Sequence, residues 1–519
     1  MSDPGAPACH IGRPRISRAG PAFVAWLGLA ALHAHAQNEP TATNRQFSIV
    51  PSLSVSETLT DNATLSSAKR YDAVTQITPS LQITSNGGRV RGFANYSLSE
   101  VVYARGTDSN RFQQSLNAVV KAEAIENFAF VDANASISQQ NISAIGTPAP
   151  DTTLQSANQT EVRSVYLSPY AHGRLGSALG YEARLNYSTT HSGSDAIGNS
   201  TNTGGSLHLG SDGAFARLNW ALDGSRHETD FTEGRKTRAD VAVAALLFNA
   251  TPDLQFSARG GREINNVVTL ERQGSTTYGG GLRWAPSERT NLSVQGDKRY
   301  FGNSYAFKFE HRTAQTVWTL TDTRDVNTDA ADAARRPLFT EFDLVYLQLA
   351  SKYPDPLERA KQAFAEVLRL GKNPLALAPN GFLSNAVSLQ RSQGVSFAYL
   401  GLRSTLVLSA QQSDTRRLDP VSSAVDSLSS GTSIRLRSLV AAASHRLTPL
   451  STVSLSVNQA RSQDTITGTQ INLLTLTASV SSQVNARTLV SLGARRAISD
   501  GGSSNYNESA LLATLLLQF

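Results

Sequence analysis

A histidine among carboxylates is the best-formed candidate for acid/base chemistry in this chain. His227 is followed by Glu228 and Asp230, and Asp223 precedes it in the same stretch. A histidine oriented by a carboxylate can move a proton, so the group defines a hydrolase hypothesis, which is a remote alternative. A solvated polar loop is favoured instead, because no phosphate loop, nucleophile elbow or metal-ligand spacing accompanies the histidine. The sequence therefore predicts no catalytic, metal-binding or cofactor-binding residues, and no cofactor.

Arginines at polar positions of alternating segments form the second candidate set. They are Arg91, Arg184, Arg217, Arg259, Arg283, Arg403, Arg435, Arg437 and Arg495. If their strands cross a membrane, an inward orientation is expected, because arginine on the lipid side costs about 2–4 kcal/mol at the midplane. A basic lumen would favour anionic solutes such as uronic-acid or phosphate-bearing sugars. The arginines could equally brace the wall by pairing with Asp132, Glu182 or Asp223. Asp61 and Asn62 could bind Ca²⁺ in a surface loop, or simply form a turn.

These residues must be positioned by strands, because the dominant period of the sequence is two. Residues 181–188 and 453–458, for example, alternate apolar and polar side chains. Short turns such as 86–88, 251–253 and 485–487 mostly alternate with longer polar connections, as periplasmic turns alternate with extracellular loops in outer-membrane barrels. The sequence thus predicts an all-β, transmembrane antiparallel up-and-down β-barrel of about 20 strands, within a range of 18–22.

Composition agrees with a secreted barrel. The formal net charge is +6 without runs of like charge, which does not predict nucleic-acid binding. Residues 1–36 predict a Sec-type signal peptide with a basic start, an apolar core over 22–32 and cleavage near Ala36. The single cysteine, Cys9, falls inside that signal, so no disulfide is expected in the mature chain 37–519. The bacterial outer membrane is the predicted location.

The last residue, Phe519, follows an uncharged, strand-length stretch. A terminal aromatic of this kind resembles the signal read by the barrel-assembly machinery, which is therefore a predicted partner besides outer-membrane lipid. Counting back in twos, the side chains of Phe519, Leu515 and Leu511 should face lipid, and that of Glu508 should face the lumen.

Residues 323–392 interrupt the strand pattern with two predicted helices, over 337–349 and 356–370. With an even number of strands before it, this insertion is expected on the periplasmic side of the barrel. It would form either a small periplasmic subdomain or a plug that folds into the lumen.

Three stretches resemble one family. They are FSIVPSLSVSETLTDNATL (47–65), FDLVYLQLASKYPDPLERAKQAFAEVLRLGKNP (342–374) and GFLSNAVSLQRSQGVSFAYLGLRSTLVLSAQQS (381–413). They resemble the outer-membrane barrel proteins encoded beside exosortase (PEP-CTERM) and exopolysaccharide-biosynthesis genes. The resemblance implies a porin-like channel, or channel component, for exopolysaccharide export, with anionic polysaccharide and periplasmic export components as possible partners. It brings no catalytic residues.

Two other classes of protein remain open at this point. A non-conducting structural or assembly barrel could dock a periplasmic polysaccharide or surface-protein complex through residues 323–392. A soluble periplasmic β-protein would share the low hydropathy, because half of each strand in a barrel also faces water.

Overall fold

The computed structural model describes residues 47–519 except 178, 195–196, 212–216, 329–340, 354, 370–380, 421–425, 430–432 and 502–504. The predicted signal peptide therefore lies outside the described residues. The described chain forms one sheet of 22 strands in which each strand pairs antiparallel with its sequence neighbours. Strand β1 also pairs with β22, which closes the sheet into a barrel. The predicted all-β antiparallel barrel is confirmed, with 22 strands instead of about 20.

The strands are β1 (Phe47–Thr60), β2 (Asp72–Asn86), β3 (Val90–Tyr103), β4 (Arg111–Ile125), β5 (Ala129–Asn141), β6 (Gln159–Leu175), β7 (Leu179–Ser192), β8 (Ser200–Gly210), β9 (Leu218–Phe231), β10 (Thr237–Thr251), β11 (Leu254–Asn265), β12 (Gln273–Ser287), β13 (Thr290–Arg299), β14 (Gly302–Arg312), β15 (Thr316–Asn327), β16 (Ser388–Leu400), β17 (Ser404–Arg417), β18 (Ser433–Arg446), β19 (Ser451–Asp464), β20 (Gln470–Asn485), β21 (Thr488–Asp500) and β22 (Tyr506–Gln518). Connections from an even to an odd strand are short and define the short-turn end. Connections from an odd to an even strand are mostly longer and define the long-loop end, which is extracellular in barrels of this type.

The two sides of the wall differ in polarity. Leu185, Leu246, Leu439, Leu492 and Leu511 are among the large apolar side chains that remain exposed, each flanked along its strand by inward neighbours. Trp284 and Trp318 are also exposed near the short-turn end, as aromatic residues are at membrane interfaces. The inward positions carry mostly Ser, Thr, Asn, Gln and charged residues. An apolar outer surface around a polar interior makes this a large outer-membrane-type barrel.

The seam has the predicted register. Leu515 and Leu511 face outward, whereas Glu508 is fully buried on the inner side. The Phe519 amide donates a hydrogen bond to the Pro51 carbonyl at 3.0 Å, which adds one bond to the β1–β22 ladder. Whether the Phe519 side chain is read during assembly stays a prediction.

Two tight turns correct the predicted strand boundaries. The alternation of residues 305–322 predicts one strand, and so does that of residues 394–410. The structure instead divides 305–322 between β14 and β15, joined at 313–315, and 394–410 between β16 and β17, joined at 401–403. Fifteen strands therefore precede the insertion, not an even number. The insertion, residues 328–387, thus leaves the wall and returns to it at the long-loop end, and the parity argument for a periplasmic connection was wrong.

The described helical part of the insertion nevertheless lies inside the barrel near the short-turn end. It contains helix α1 (Glu341–Gln348), a 3₁₀ turn (Leu349–Ser351) and helix α2 (Pro356–Arg369). Ala350 packs into an inner-wall cluster with Val317 and Val407, close to the short turns. Val317 lies ten residues from the end of β15, about 33 Å along the strand.

Helix α2 contacts a different part of the wall. Lys361 Nζ donates to the Ser85 carbonyl at 3.3 Å and to Asn86 Oδ1, at the short-turn end of β2. Strands β19–β22 and β1 separate this contact from the Ala350 cluster on β15–β18. Val345, Ala363 and Val367 form the apolar contact between the two helices. The described parts of the insertion therefore reach two separate regions of the inner wall near the short-turn end.

Candidate functional site

The predicted lumen arginines separate into three groups. Those that face inward are Arg91, Arg184, Arg259, Arg283 and Arg495. Arg217, which precedes β9, and Arg403, in the turn 401–403, belong to short connections instead of strands. Arg435 and Arg437 face outward, because their neighbours Ile434 and Leu436 are buried on the inner side. The prediction that these two line the lumen was wrong. The cost that motivated it falls to about 0–1 kcal/mol near the interface, where both residues lie.

Arg184 organises a polar and aromatic site on the inner wall near the short-turn end. Its Nε lies 2.9 Å from Glu182 Oε1, and its Nη1 lies 3.1 Å from Asp132 Oδ2 and 3.0 Å from Ser168 Oγ. The guanidinium also covers the Tyr170 ring at 3.9 Å from the centroid, a cation–π contact. Arg184 therefore both braces the wall through its ion pairs and contributes positive charge to the inner surface.

An aromatic stack extends this site. The rings of Phe130 and His172 are 4.7 Å apart at 9°, and the Tyr170 ring lies 5.3 Å from that of Phe130. Tyr170 and His172, together with Arg184 and His208, border an open cleft of about 580 Å³, and Phe130 stacks on both of these rings. We name Phe130, Tyr170, His172 and Arg184 the lumen aromatic site. Flat rings beside a guanidinium suit a ligand with apolar faces and anionic groups.

A second chamber, of about 490 Å³, lies on the inner side of β9–β15. Arg259 pairs there with Asp297 at 3.4 Å, and Arg299 pairs with Glu263 at 2.6 Å and with Asp325 at 2.8 Å. The chamber wall is therefore charged but largely balanced. Beside it, burial raises the pKa of Tyr300, outweighing the nearby Arg299 charge, so this phenol stays neutral.

Arg495 is not available to a solute. Its side chain is 3% exposed and that of Glu508 is fully buried, and the two are joined by bonds of 2.8 and 3.1 Å. Arg495 also contacts Asp151, and Glu508 accepts from Thr60 Oγ1 at 2.9 Å. Asp151 belongs to the loop 142–158, so this network ties an inward-folded loop to β21 and β22. By contrast, Arg91 and Arg283 form no ion pair with any residue that the structure describes.

The acid/base set around His227 is divided between the two sides of the wall. His227 faces the lumen, whereas Glu228 faces outward and pairs with Lys236. Asp223 is four residues from His227, about 13 Å along the strand, and its Oδ1 lies 2.6 Å from Nδ1 of His208. The structure therefore assembles a His208–Asp223 pair that sequence spacing did not reveal, because the two residues meet only through β8–β9 pairing.

Asp61 and Asn62 are used to shape a loop. Asn62 is fully buried and its Nδ2 donates to the Ser66 and Asn507 carbonyls at 2.7 and 3.0 Å. Burial opposes ionisation of Asp61, but hydrogen bonds from Lys69 and from the Ser509 amide hold the pKa of Asp61 below its ordinary value. Within the described ranges, no group of three or more His, Cys, Asp or Glu residues is placed to hold a metal ion. No described helix is long and apolar enough to cross a membrane.

The long-loop mouth is closed by converging segments. Residues 381–387, the end of the insertion, are buried, with Phe382 and Leu383 fully enclosed. Asp426 holds them: its Oδ2 accepts from Ser384 Oγ at 2.8 Å and from the Asn385 amide at 2.9 Å. Arg235, in the β9–β10 connection, forms an ion pair at 3.0 Å with Asp419, which belongs to the same β17–β18 connection as Asp426. Described segments therefore pack together at the long-loop mouth as well as inside the barrel near the short turns.

No protein-family model matches the chain, and no curated protein matches it. Among solved structures, the apoprotein form of the FrpB iron transporter (F5-1 variant) of Neisseria meningitidis aligns with 92% of this chain and 82% of its own, at 9% identity and a TM-score of 0.48. The siderophore receptor PirA of Acinetobacter baumannii aligns with 92% of this chain and 81% of its own, at 8% identity and a TM-score of 0.47. Nothing about what this chain carries follows from so distant a likeness.

Proposed function

We propose that this protein is an outer-membrane channel, or channel component, whose lumen is gated by the insertion 328–387 and whose solute is an anionic exopolysaccharide. The observation that carries the gating is the path of the insertion. It enters from the long-loop end, packs Ala350 on the inner wall of β15–β17 and reaches β2 through Lys361. A barrel of 22 strands is wide enough to need such a plug, whereas porins of 16–18 strands leave an open channel.

The solute is proposed from the lumen aromatic site and from the family resemblance. Sugar rings have apolar faces that stack on aromatic side chains, and uronic-acid carboxylates pair with guanidinium groups. Arg91 and Arg283, inward and without described ion pairs, add positive charge along the wall. Export in an exosortase-bearing bacterium is the context that the resemblance supports.

A non-conducting structural or assembly barrel is the second candidate. The contacts at the long-loop mouth favour it, because Asp426 and the Arg235–Asp419 pair tie the loops to one another. Conductance separates the two candidates.

The decisive experiment replaces residues 328–387 by Asn-Gly and compares single-channel currents in planar bilayers. Asn327 and Ser388 are directly paired across β15 and β16, so a two-residue hairpin turn can join them without disturbing the wall. We expect the wild type to conduct rarely or at a low level, and the Asn-Gly variant to form a stable pore of large conductance.

Heat-modifiable gel mobility confirms that each barrel is folded before it is measured. A folded Asn-Gly variant without conductance would contradict the channel function and support the structural alternative. Oligouronates should block the open pore at lower concentrations than neutral oligosaccharides of equal length. Equal block by both would remove the anionic solute from the proposal and leave the gate intact.

A further inference from the structure

The outer face of the barrel carries a cluster of arginines at the long-loop end of β15–β19. Its members, here called the outer basic patch, are Arg324, Arg391, Arg416, Arg435, Arg437 and Arg461. Strand register places them in adjoining rows. One row runs Arg324, Arg391, Asp414, Arg435, and the next runs Asp322, Gln393, Gln412, Arg437, Arg461. Arg416 lies in a third row, between Leu389 and Ser433.

The alternation of burial fixes the orientation of this patch. On β18, Ile434, Leu436 and Ser438 are at most 5% exposed on the inner side, whereas Leu439 is 53% exposed. Arg435 and Arg437 share the side of Leu439, so both point away from the lumen. They are therefore separated by the wall from any solute inside the barrel.

Acidic partners neutralise only part of the patch. Arg391 pairs with Asp322 at 3.0 Å, and Arg435 pairs with Asp414 at 2.6 Å. Arg324 is bonded to a neutral acceptor, the Asn303 carbonyl, at 2.8 Å. The patch therefore keeps several uncompensated positive charges on a surface that faces the membrane.

The excess of positive charge is greatest at Arg437 and Arg461, which are directly opposite each other on β18 and β19. Arg437 Nε donates to Gln412 Oε1 at 2.8 Å, and Arg461 Nη2 donates to Gln470, both uncharged. Arg461 Nε is buried without an acceptor among the residues that the structure describes. Like charges opposite each other destabilise a strand pair, so an anion bound between the two guanidinium groups would relieve the repulsion.

The patch adjoins the apolar band. Val395, Leu408 and Leu439 follow it toward the middle of their strands, and each is more than 40% exposed. A ligand seated on the arginines would thus lay its apolar chains on these residues. On another arc of the wall, at the same end, the outward charges of β1 and β3 are acidic, Glu57 and Glu100.

We infer that the outer basic patch binds a phosphorylated glycolipid of the outer leaflet, with its phosphates on Arg437 and Arg461 and its acyl chains on the apolar band. Guanidinium groups bind phosphate through two parallel hydrogen bonds, which a row of adjacent arginines offers repeatedly. This inference depends on the extracellular orientation of the long loops but not on transport through the lumen.

Titration of the purified full-length barrel with lipopolysaccharide, followed by native mass spectrometry, tests the inference. Arg437→Gln/Arg461→Gln should bind lipopolysaccharide roughly tenfold more weakly than the wild type, because two charge-assisted contacts are lost. The matched control, Arg91→Gln/Arg283→Gln, removes the same charge from the inner side and should bind as the wild type does.

Two further arms identify the ligand. Dephosphorylated lipopolysaccharide should bind the wild type as weakly as intact lipopolysaccharide binds the double variant, and inorganic phosphate should not displace the bound lipid. Displacement by inorganic phosphate, or equal affinity of wild type and double variant, overturns the proposal. If the glutamine variant does not fold, Arg437→Lys/Arg461→Lys replaces it: intermediate affinity supports paired hydrogen bonds to phosphate, and wild-type affinity contradicts them.

Discussion

At the scale of residues, the lumen aromatic site offers a ligand two kinds of contact, stacking on aromatic rings and pairing with a guanidinium group. Arg184 is held by Glu182 and Asp132, so its guanidinium is fixed over Tyr170 before any solute arrives. Because the Arg184 side chain is already fixed, less conformational entropy is lost when a solute binds. The pairing that braces the wall therefore also prepares the binding surface.

Removing the Tyr170 ring should weaken solute block of the open pore. In the Asn-Gly background, Tyr170→Ala loses a stacking surface and the ring beneath Arg184, so the half-blocking concentration of an oligouronate should rise about tenfold. Tyr187→Ala is the matched control, since Tyr187 is 44% exposed on the outer side. Equal block of both variants would show that the solute does not stack at this site.

Residue orientation was predictable from the sequence for some arginines and not for others. Alternation correctly assigned Arg184 and Arg259 to the inner side, because their strands alternate cleanly beside large apolar residues. It failed for Arg435 and Arg437, because the rule that excludes arginine from lipid weakens toward the strand ends. The His208–Asp223 pair was invisible for another reason: it depends on register between two strands.

At the scale of elements, the two unrecognised turns contain none of the usual turn dipeptides. In the turn 313–315, the Thr313 side chain supplies the closure, as its Oγ1 accepts from the Thr316 amide at 2.9 Å. The turn 401–403 carries Leu402, 94% exposed, at a position that fits the apolar alternation of a strand. Most other turns were predictable because Gly, Asn, Pro or Asp marked them, whereas the single Gly401 of the turn 401–403 does not interrupt the apolar alternation around it.

Helix α2 should be released from the wall by removing the contact of Lys361. Lys361→Ala loses the hydrogen bonds to Ser85 and Asn86 at the short-turn end of β2, so the insertion should fluctuate more and brief channel openings should become several-fold more frequent. Lys352→Ala is the matched control in the same insertion, because the Lys352 ammonium lies over the ring of its neighbour Tyr353, 5.1 Å from the centroid. Unchanged opening of Lys361→Ala, or the same increase in both variants, would argue against docking on β2 as part of the gate.

At the scale of the whole molecule, the lumen is obstructed twice along one path. The insertion contacts the wall near the short turns, and residues 381–387 pack with their partner loops at the long-loop mouth. Two constrictions in series add their resistances, so the narrower one limits the current whenever the other opens. Conductance through such a barrel should therefore stay low even when one of the two constrictions opens.

Because the two closures lie in series, the effects of opening each of them on conductance should not be additive. Asp426→Ala removes the acceptor that holds Ser384 and Asn385, and alone it should raise conductance only slightly, as should Lys361→Ala. The combined variant should exceed the sum of the two increments and approach the Asn-Gly pore. Asp414→Ala is the control, because Asp414 pairs with Arg435 on the outer side. If Asp426→Ala alone reached the conductance of the Asn-Gly pore, the mouth would be the only closure and the helices would have a different role.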